Sequence, residues 1–399
     1  MNILYITNTD PRSCSFGSEQ RTNALWNSLK RYGSVYTLQI SGNMVPPKNE
    51  LDREHPIRYF IPQQYVNKPC LDFIFRHLWR LTKVPFLPFP YPLHKRIPEI
   101  FEGETFDLLV VRYLDLFAKY HLWKIAPSLV DIDDHPAQLF DTIVYHRLPY
   151  FIRSVVKLIN RVQIRYVMSK MVGGWISNEE QLGICPPTIK FLTNMPVLPS
   201  VDYCPTEQDR KYLFTIGLQI YPPNSQGVNN FLKTIWPVFH RRYSDVQYLI
   251  GGKDAPQEMA RQWNQIPGVR YVGFIENLEM AYQHCIATVV PVESGGGTCI
   301  KTLESLAYSR ACLSTEFGAR GFQTNGSNPD GLFVYSTADE FIAYFETLMN
   351  LDNRNNIEKR ASAYIHNSNF KQRFEEAVDN VIKDLEVNST NNISSIWKI

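Results

Sequence analysis

Short apolar runs punctuate the first half of the chain, at Asn2–Thr7, Val35–Ile40, Asp107–Val111, Ser128–Asp131 and Met171–Ile176, each followed by turn residues. Near-continuous apolar strands of this length, joined by helical stretches, predict a parallel sheet covered on both faces. The helix after the first run is expected from about Glu19 to Arg31, stopping at Gly33. A second series follows at Tyr212–Ile216, Gln247–Ile250, Val269–Val272, Ile286–Val290 and Ala311–Ser314, with helices expected near 227–240, 256–264, 277–284 and 299–308. Pro196, Pro199 and Pro205 mark a linker over 195–206. The pattern therefore predicts an α/β protein of two doubly wound domains, 1–200 and 207–365. A C-terminal segment, 366–388, holds an amphipathic helix over about 370–385 that is expected to pack back on the first domain. A Ser- and Asn-rich tail, 389–399, is expected to be disordered. Ligands of such sheets bind beyond the C-terminal strand ends, which places the expected site in a cleft between two facing sheets.

Two stretches interrupt this rhythm. Residues 58–96 carry seven Lys/Arg against one acid, Asp72, and are rich in aromatics and prolines. Within them, residues 71–81 read as a helix with Phe75, Leu78 and Trp79 on one side. A second basic helix is expected over 151–170. There Ile152, Val155, Val156, Ile159, Val162, Tyr166 and Val167 form an apolar face, while Arg153, Lys157, Arg161 and Arg165 recur every four residues, with no acid in the span. These helices are either sheet-packing elements with solvated basic faces or contacts for anionic lipid or a lipid-phosphate acceptor. No nucleic-acid motif accompanies the charge, so nucleic acid is not an expected partner.

At 399 residues the chain exceeds what one core usually supports, in agreement with two domains. The net charge of +2 hides an asymmetry: residues 1–200 hold 23 Lys+Arg and 17 Asp+Glu, and the remainder 18 and 22, so the halves carry +6 and −4. The first half is thus the better partner for an anionic surface. Seven scattered cysteines without a C-x-x-C pair read as reduced thiols. The chain opens directly on a strand, which predicts no signal peptide. No run of about 18 apolar residues exists. A cytoplasmic protein, peripheral at the inner face of the plasma membrane, is the expectation.

The strongest chemical signal is Gly295-Gly296-Gly297-Thr298-Cys299-Ile300-Lys301-Thr302-Leu303-Glu304, set between an apolar strand and a helix. Three glycines at a helix start expose backbone N–H groups that suit a phosphate. Lys301 and Glu304, one turn apart, add a cation and a carboxylate able to face one ligand. The block thereby points to a nucleotide sugar.

Around it lie Phe214-Thr215-Ile216-Gly217, Pro222-Pro223-Asn224, Gly227, Trp236-Pro237, Leu249-Ile250-Gly251-Gly252-Lys253, Gly268-Val269, Gly273-Phe274-Ile275, Pro291 and Gly318-Ala319-Arg320-Gly321-Phe322. In this order and spacing they resemble the GT-B-fold glycosyltransferases of the large retaining family 4, in the branch with a Pro-Asn motif and a Gly-Gly-Gly-Thr-x-x-Lys motif. The resemblance covers nearly the whole chain and is strongest over 212–322. It implies two facing Rossmann-like domains. It implies that Glu304 bonds the ribose hydroxyls, that Gly295, Gly296, Gly297 and Thr298 hold the diphosphate and donor sugar, and that Lys301 meets the β-phosphate. Phe274 and Ile275 fall where the family's backbone grips the base. Gly217, Asn224 and Lys253 fall at donor-binding positions, and Arg320 is a further diphosphate candidate. In the first half, Ser15-Phe16-Gly17-Ser18 with Arg21 resembles the loop that nears the donor phosphate, and Asp134 and His135 resemble residues touching the donor sugar. Three adjacent carboxylates beside a histidine (Asp131, Asp133, Asp134, His135) raise a metal site as an alternative, but loop neighbours rarely converge on one ion, so none is expected.

Two departures from the family pattern stand out. Its first glutamate falls at Gly296, with Glu293 three residues too early, and its usual Arg and Lys after the second domain's first strand are replaced in that loop by Gln219 and Tyr221. The resemblance implies a retaining hexosyl transfer from a UDP- or GDP-sugar to a glycan or lipid-linked acceptor, as in bacterial cell-surface polysaccharide or glycolipid synthesis. No cofactor beyond the donor is required. The alternatives are a non-catalytic glycosyltransferase-like partner subunit and a GT-B-fold nucleotide-sugar epimerase.

Overall fold

A computed structural model describes residues 1–14, 17–40, 55–61, 93–139, 149–195, 212–295, 299–322 and 327–396. The expected helix at 71–81 and the proline-rich linker beyond 195 lie outside the described residues. The chain divides into unit 1, Met1–Thr193 with Lys371–Ile399, and unit 2, Asn194–Phe370.

Unit 1 holds a parallel seven-stranded sheet in the order β3-β2-β1-β4-β5-β6-β7. Its strands are β1 (Asn2–Thr7), β2 (Ser34–Ile40), β3 (Ile57–Phe60), β4 (Leu108–Arg112), β5 (Ser128–Asp133), β6 (Gly173–Ile176) and β7 (Ile189–Phe191). Its helices are α1 (Gly17–Leu29), α2 (Leu93–Ile100), α3 (Leu114–Lys119), α4 (Pro136–Leu139) and α5 (Tyr150–Met168). The central strands are buried along their lengths, because helices cover both faces of a parallel sheet. Strand order reverses at β1, where Ile3 pairs with Val35 on one side and Leu108 on the other. In doubly wound sheets this reversal opens a crevice at the C-terminal strand ends.

Unit 2 repeats the plan with six parallel strands in the order β10-β9-β8-β11-β12-β13. These are β8 (Tyr212–Ile216), β9 (Gln247–Gly251), β10 (Val269–Gly273), β11 (Ala287–Val290), β12 (Cys312–Ser314) and β13 (Leu332–Val334). The helices are α6 (Pro222–Thr234), α7 (Trp236–Arg242), α8 (Gln257–Asn264), α9 (Leu278–Gln283), α10 (Ile300–Ala307), α11 (Glu316–Ala319), α12 (Ala338–Met349) and α13 (Leu351–Asn367). The reversal falls between β8 and β11. Trp236, Phe231, Tyr248 and Phe341 pack edge and face in the core beneath it.

Several boundaries differ from the sequence reading. The helix expected over 227–240 is two helices, since Pro237 lacks an N–H and its ring clashes with the preceding turn; Pro222 and Pro223 instead open α6. Strands β3, β7 and β13 escaped notice because edge strands of three or four residues carry little periodicity. The final helix, α14 (Phe370–Ile396), continues into the stretch expected to be disordered, as far as Ile396. Neither Gly nor Pro occurs from 371 to 396 to break it. Its residues from Lys371 onward group with unit 1, where Trp175 donates its indole N–H to the Ala377 carbonyl at 3.1 Å and Arg31 pairs with Glu375 and Asp379.

Candidate functional site

The loops leaving β8 and β11 flank the reversal in unit 2, and side chains from two helices converge there. Gly217 ends β8. A Cβ on it would lie 2.8 Å from Lys301 Cε and 3.0 Å from Asn224 Nδ2, so a larger residue here would push these two side chains aside. Asn224, in the first turn of α6, donates Nδ2 to the Leu218 carbonyl at 2.8 Å. That bond turns its Oδ1 toward α10, where it accepts from Lys301 Nζ at 2.5 Å. Among the described residues no carboxylate pairs with Lys301, so its charge is met by a neutral amide. Helix α10 begins at Ile300, and its N-cap residue Cys299 makes no side-chain cap bond, so the helix start presents N–H donors and the positive end of the helix dipole beside this lysine.

The β9 end completes one wall. Gly252, at φ 118°, packs so tightly that a Cβ would fall 1.7 Å from the Gly217 carbonyl oxygen. Gln219, buried, donates Nε2 to the Gly251 carbonyl at 2.9 Å, and its Oε1 has no partner among the described residues. Lys253 Nζ stands 4.2 Å from the centroid of the exposed Phe274 ring, a cation–π contact. Ile275 reaches the same strand end, within 2.6 Å of where a Gly251 Cβ would be. Gly295, at φ 132°, sits against Tyr221 and Pro223. Gly296, Gly297 and Thr298 lie outside the described residues.

One turn beyond Lys301, Glu304 is buried and accepts from the Tyr282 hydroxyl at 3.1 Å. Tyr282 stacks on Tyr308 with centroids 4.4 Å apart. Burial, and then the neighbouring Glu304 charge, pushes the Tyr282 hydroxyl well above its ordinary pKa and that of Tyr308 to about 12, so both remain neutral. Arg310 donates to the Tyr282 carbonyl at 2.8 Å and pairs with buried Glu358 at 3.1 Å. Arg320 lies over the Phe317 ring at 4.1 Å. Glu293, the nearest substitute for the family's first glutamate, is exposed and accepts from Asn230 at 2.6 Å.

In unit 1 the strand-end chemistry is different. Asp131 is fully buried and held by both Arg21 (2.8 and 2.9 Å) and Arg112 (2.6 Å). Burial pushes its carboxyl up, but the Arg21 and Arg112 guanidiniums outweigh this and hold it below the ordinary value. Arg112 also reaches Asp133 at 3.0 Å. A β-bulge between Asp131 and Asp133, with Asp133 at φ 65°, turns the second carboxylate back onto the same arginines. Arg21, expected near a donor phosphate, is therefore committed to Asp131 and to the Leu192 carbonyl. His135 follows as a buried residue; its N–H donates to Gln181 Oε1 at 2.8 Å, and its Nδ1 accepts from the Ala137 N–H at 3.2 Å. Burial lowers its pKa, and the Ala137 donor holds the proton on Nε2. Asp134 N–H bonds the Ile132 carbonyl. Gly17 is the first residue of α1. Arg153, Lys157, Arg161 and Arg165 line α5, away from these strand ends in sequence and on a separate helix.

Unit 2 thus brings together Gly217, Asn224 and Lys301, and separately Lys253 with Phe274, beyond the C-terminal ends of β8, β9 and β10. Sequence reasoning missed Tyr282, Tyr308 and Arg310 as the support of Glu304; their helices show only core periodicity. It also missed Arg112 as the partner of Asp131.

Two Rossmann-like parallel sheets with this strand order define the GT-B fold, and solved structures agree. The chain matches sucrose-phosphate synthase of Thermosynechococcus elongatus with a TM-score of 0.68 at 12% identity over 97% of this chain and 99% of that one. WaaG, a glycosyltransferase of lipopolysaccharide biosynthesis, matches at 0.62 and 11% over 95% and 99%. Anabaena HepE, solved in complex with UDP, matches at 0.58 and 12% over 98% and 100%. Residues 210–350 match the family Glycosyl transferases group 1, a stretch that spans most of unit 2. Among curated proteins no sequence matches the chain.

Proposed function

We propose that this protein transfers a sugar from a nucleotide diphosphate sugar to an acceptor hydroxyl, with retention at the anomeric carbon. The observation that carries the reading is the Lys301–Asn224–Gly217 convergence at the β8/β11 reversal: a cation whose partner among the described residues is a neutral amide, beside a helix start that its N-cap residue leaves uncapped. Such an arrangement is built for a diphosphate that gains charge as it departs, since fixed donors and a lysine stabilise the leaving group without reorganising. In this reading Gly295 to Thr298 and the α10 N-terminus bind the phosphates, and Lys301 neutralises the leaving oxygen with Lys253 and Arg320 in support. Glu304 takes the ribose hydroxyls, and the Phe274–Ile275 segment meets the base. Asp134 and His135 orient the donor sugar, and the departing phosphate accepts the acceptor proton.

Uridine is supported as the base by HepE, which was solved with UDP, and a cell-surface glycan or glycolipid as the product by the role of WaaG. GDP-sugars are the second donor class.

The test is a thermal-shift and turnover screen with UDP, GDP and their sugars. A nucleotide diphosphate that saturates its site raises the unfolding temperature. Lys301→Ala and Glu304→Ala should each remove that shift and the transfer. If no nucleotide binds and Glu304→Ala changes nothing, the transferase reading falls. Binding without turnover would favour the non-catalytic partner subunit, and donor-sugar interconversion without acceptor the epimerase. Proton NMR of the product decides retention.

A further inference from the structure

We propose that α5 docks this protein on an anionic lipid bilayer. Three stripes run along the helix. Val156, Asn160, Ile164 and Val167, at three- and four-residue spacing, are buried, and the three apolar members join the core of unit 1. A second stripe, Phe151, Val155, Leu158, Ile159, Val162 and Tyr166, follows the same spacing on the outside. Phe151 is 76% exposed, Leu158 61% and Val162 60%. A row of large apolar side chains this long on one surface helix marks an interaction site, since scattered single residues are the norm elsewhere. The third stripe is basic: Arg153, Lys157, Arg161 and Arg165 repeat every four residues, the last three exposed. Lys170 extends it and lies 4.8 Å from the Tyr166 ring centroid. No Asp or Glu occurs from residue 142 to 178.

Charge selects the occupant. An apolar stripe bordered by an unbroken basic one is the pattern of a helix lying in the bilayer interface: its apolar side chains enter the acyl boundary while lysines and arginines reach lipid phosphates. A second copy of this chain, paired through the same face about a two-fold axis, would bring a like basic stripe against the first and repel it. Insertion across the bilayer is not what this helix does, because no described helix is long and apolar enough to span it.

Co-sedimentation of the full chain with vesicles of phosphatidylcholine, alone and mixed with phosphatidylglycerol, tests this independently of any transfer activity. Binding to the mixed vesicles is expected, and it should weaken as salt screens the charges. Arg161→Ser and Arg165→Ser should each lower the partition coefficient roughly fivefold. Leu158→Ser with Val162→Ser should lower binding while leaving its salt dependence in place. All four side chains are exposed, so thermal unfolding should stay at the wild-type temperature and report any misfolded variant. Absence of binding to anionic vesicles, or equal binding by these variants, overturns the proposal. So does a concentration-dependent dimer that Leu158→Ser with Val162→Ser dissociates while vesicles go unbound, which would assign the stripe to a second copy.

Discussion

The two sheets reverse their strand order in the same way, yet the ends of their central strands are filled by opposite electrostatic designs. In unit 1, Arg21 and Arg112 face Asp131 and Asp133, two cations against two anions, three of the four buried. In unit 2, Lys301 faces the neutral Asn224 amide, and Glu304 accepts from a neutral phenol. A self-neutralised cluster spends its field on the fold. A cation answered only by a dipole keeps its field for whatever binds. One scaffold position thus serves structure in the first unit and, on our reading, ligand chemistry in the second.

The contrast predicts that the two clusters fail differently. Asp131→Asn should cause the largest effect, a loss of about 3–5 kcal/mol of stability, because removing the buried carboxylate leaves two arginines against Asp133 alone. Urea unfolding should show the midpoint falling with little change in slope. The same pairing gives an acid limit. Asp131 has a depressed folded pKa, so its contribution is present above the unfolded carboxylate value near 3.9 and is lost as pH falls through the folded one. A loss under about 1 kcal/mol in Asp131→Asn would erase the distinction between the units.

Lys301→Ala should reverse the profile. We expect kcat/KM to fall roughly 10²–10³-fold, the range for deleting one charge-stabilising donor, with the urea midpoint nearly unchanged. Asn224→Ala should give a smaller fall, since it aims the lysine but does not meet the phosphate. Steady-state kinetics beside unfolding curves would show whether activity and stability separate as proposed. If Lys301→Ala destabilises the fold as much as Asp131→Asn does, its charge is structural too.

How much of this was legible in the sequence follows from what each residue needed. Central strands are largely apolar, so β1, β4, β8 and β11 stand out. Gly217, Asn224 and Lys301 were legible because their spacing resembles a family motif, and the structure joins them through contacts that no periodicity reveals. Asp131 read as one of a run of loop carboxylates. Its partner Arg112 ends a different strand, and parallel pairing of Arg112 with Asp131 is what brings them side by side. Tyr282 was illegible for a related reason: it lies 22 positions before Glu304, in a short helix that reads as core packing.

Tyr282→Phe probes that last contact and should have a modest effect. Phenylalanine preserves the stack on Tyr308 and removes only the hydroxyl bonded to Glu304. One such bond contributes about 1 kcal/mol net, so nucleotide affinity should fall roughly fivefold if Glu304 must be aimed at a ribose. Isothermal titration with UDP and with 2′-deoxy-UDP sharpens the point: the variant should lose affinity for UDP and less for the deoxy analogue. Equal losses for both would assign the tyrosine to general packing.

The smallest expected effect returns to unit 1, where His135 sits neutral four residues beyond Asp131. Burial lowers its folded pKa below the unfolded value near 6.5. Between those two values the unfolded chain binds the extra proton, so stability rises with pH through that window and falls as pH drops below about 6.5. Each unit of separation corresponds to about 1.4 kcal/mol. His94 and His121 shift in the same direction, so the useful quantity is the wild-type curve minus that of His135→Gln, from unfolding measured at pH values across the window. The difference should shrink as pH falls and level off above 6.5. A difference of opposite slope would mean that His135 carries a proton in the folded state, and a charge would then stand beside a cluster that otherwise balances its own.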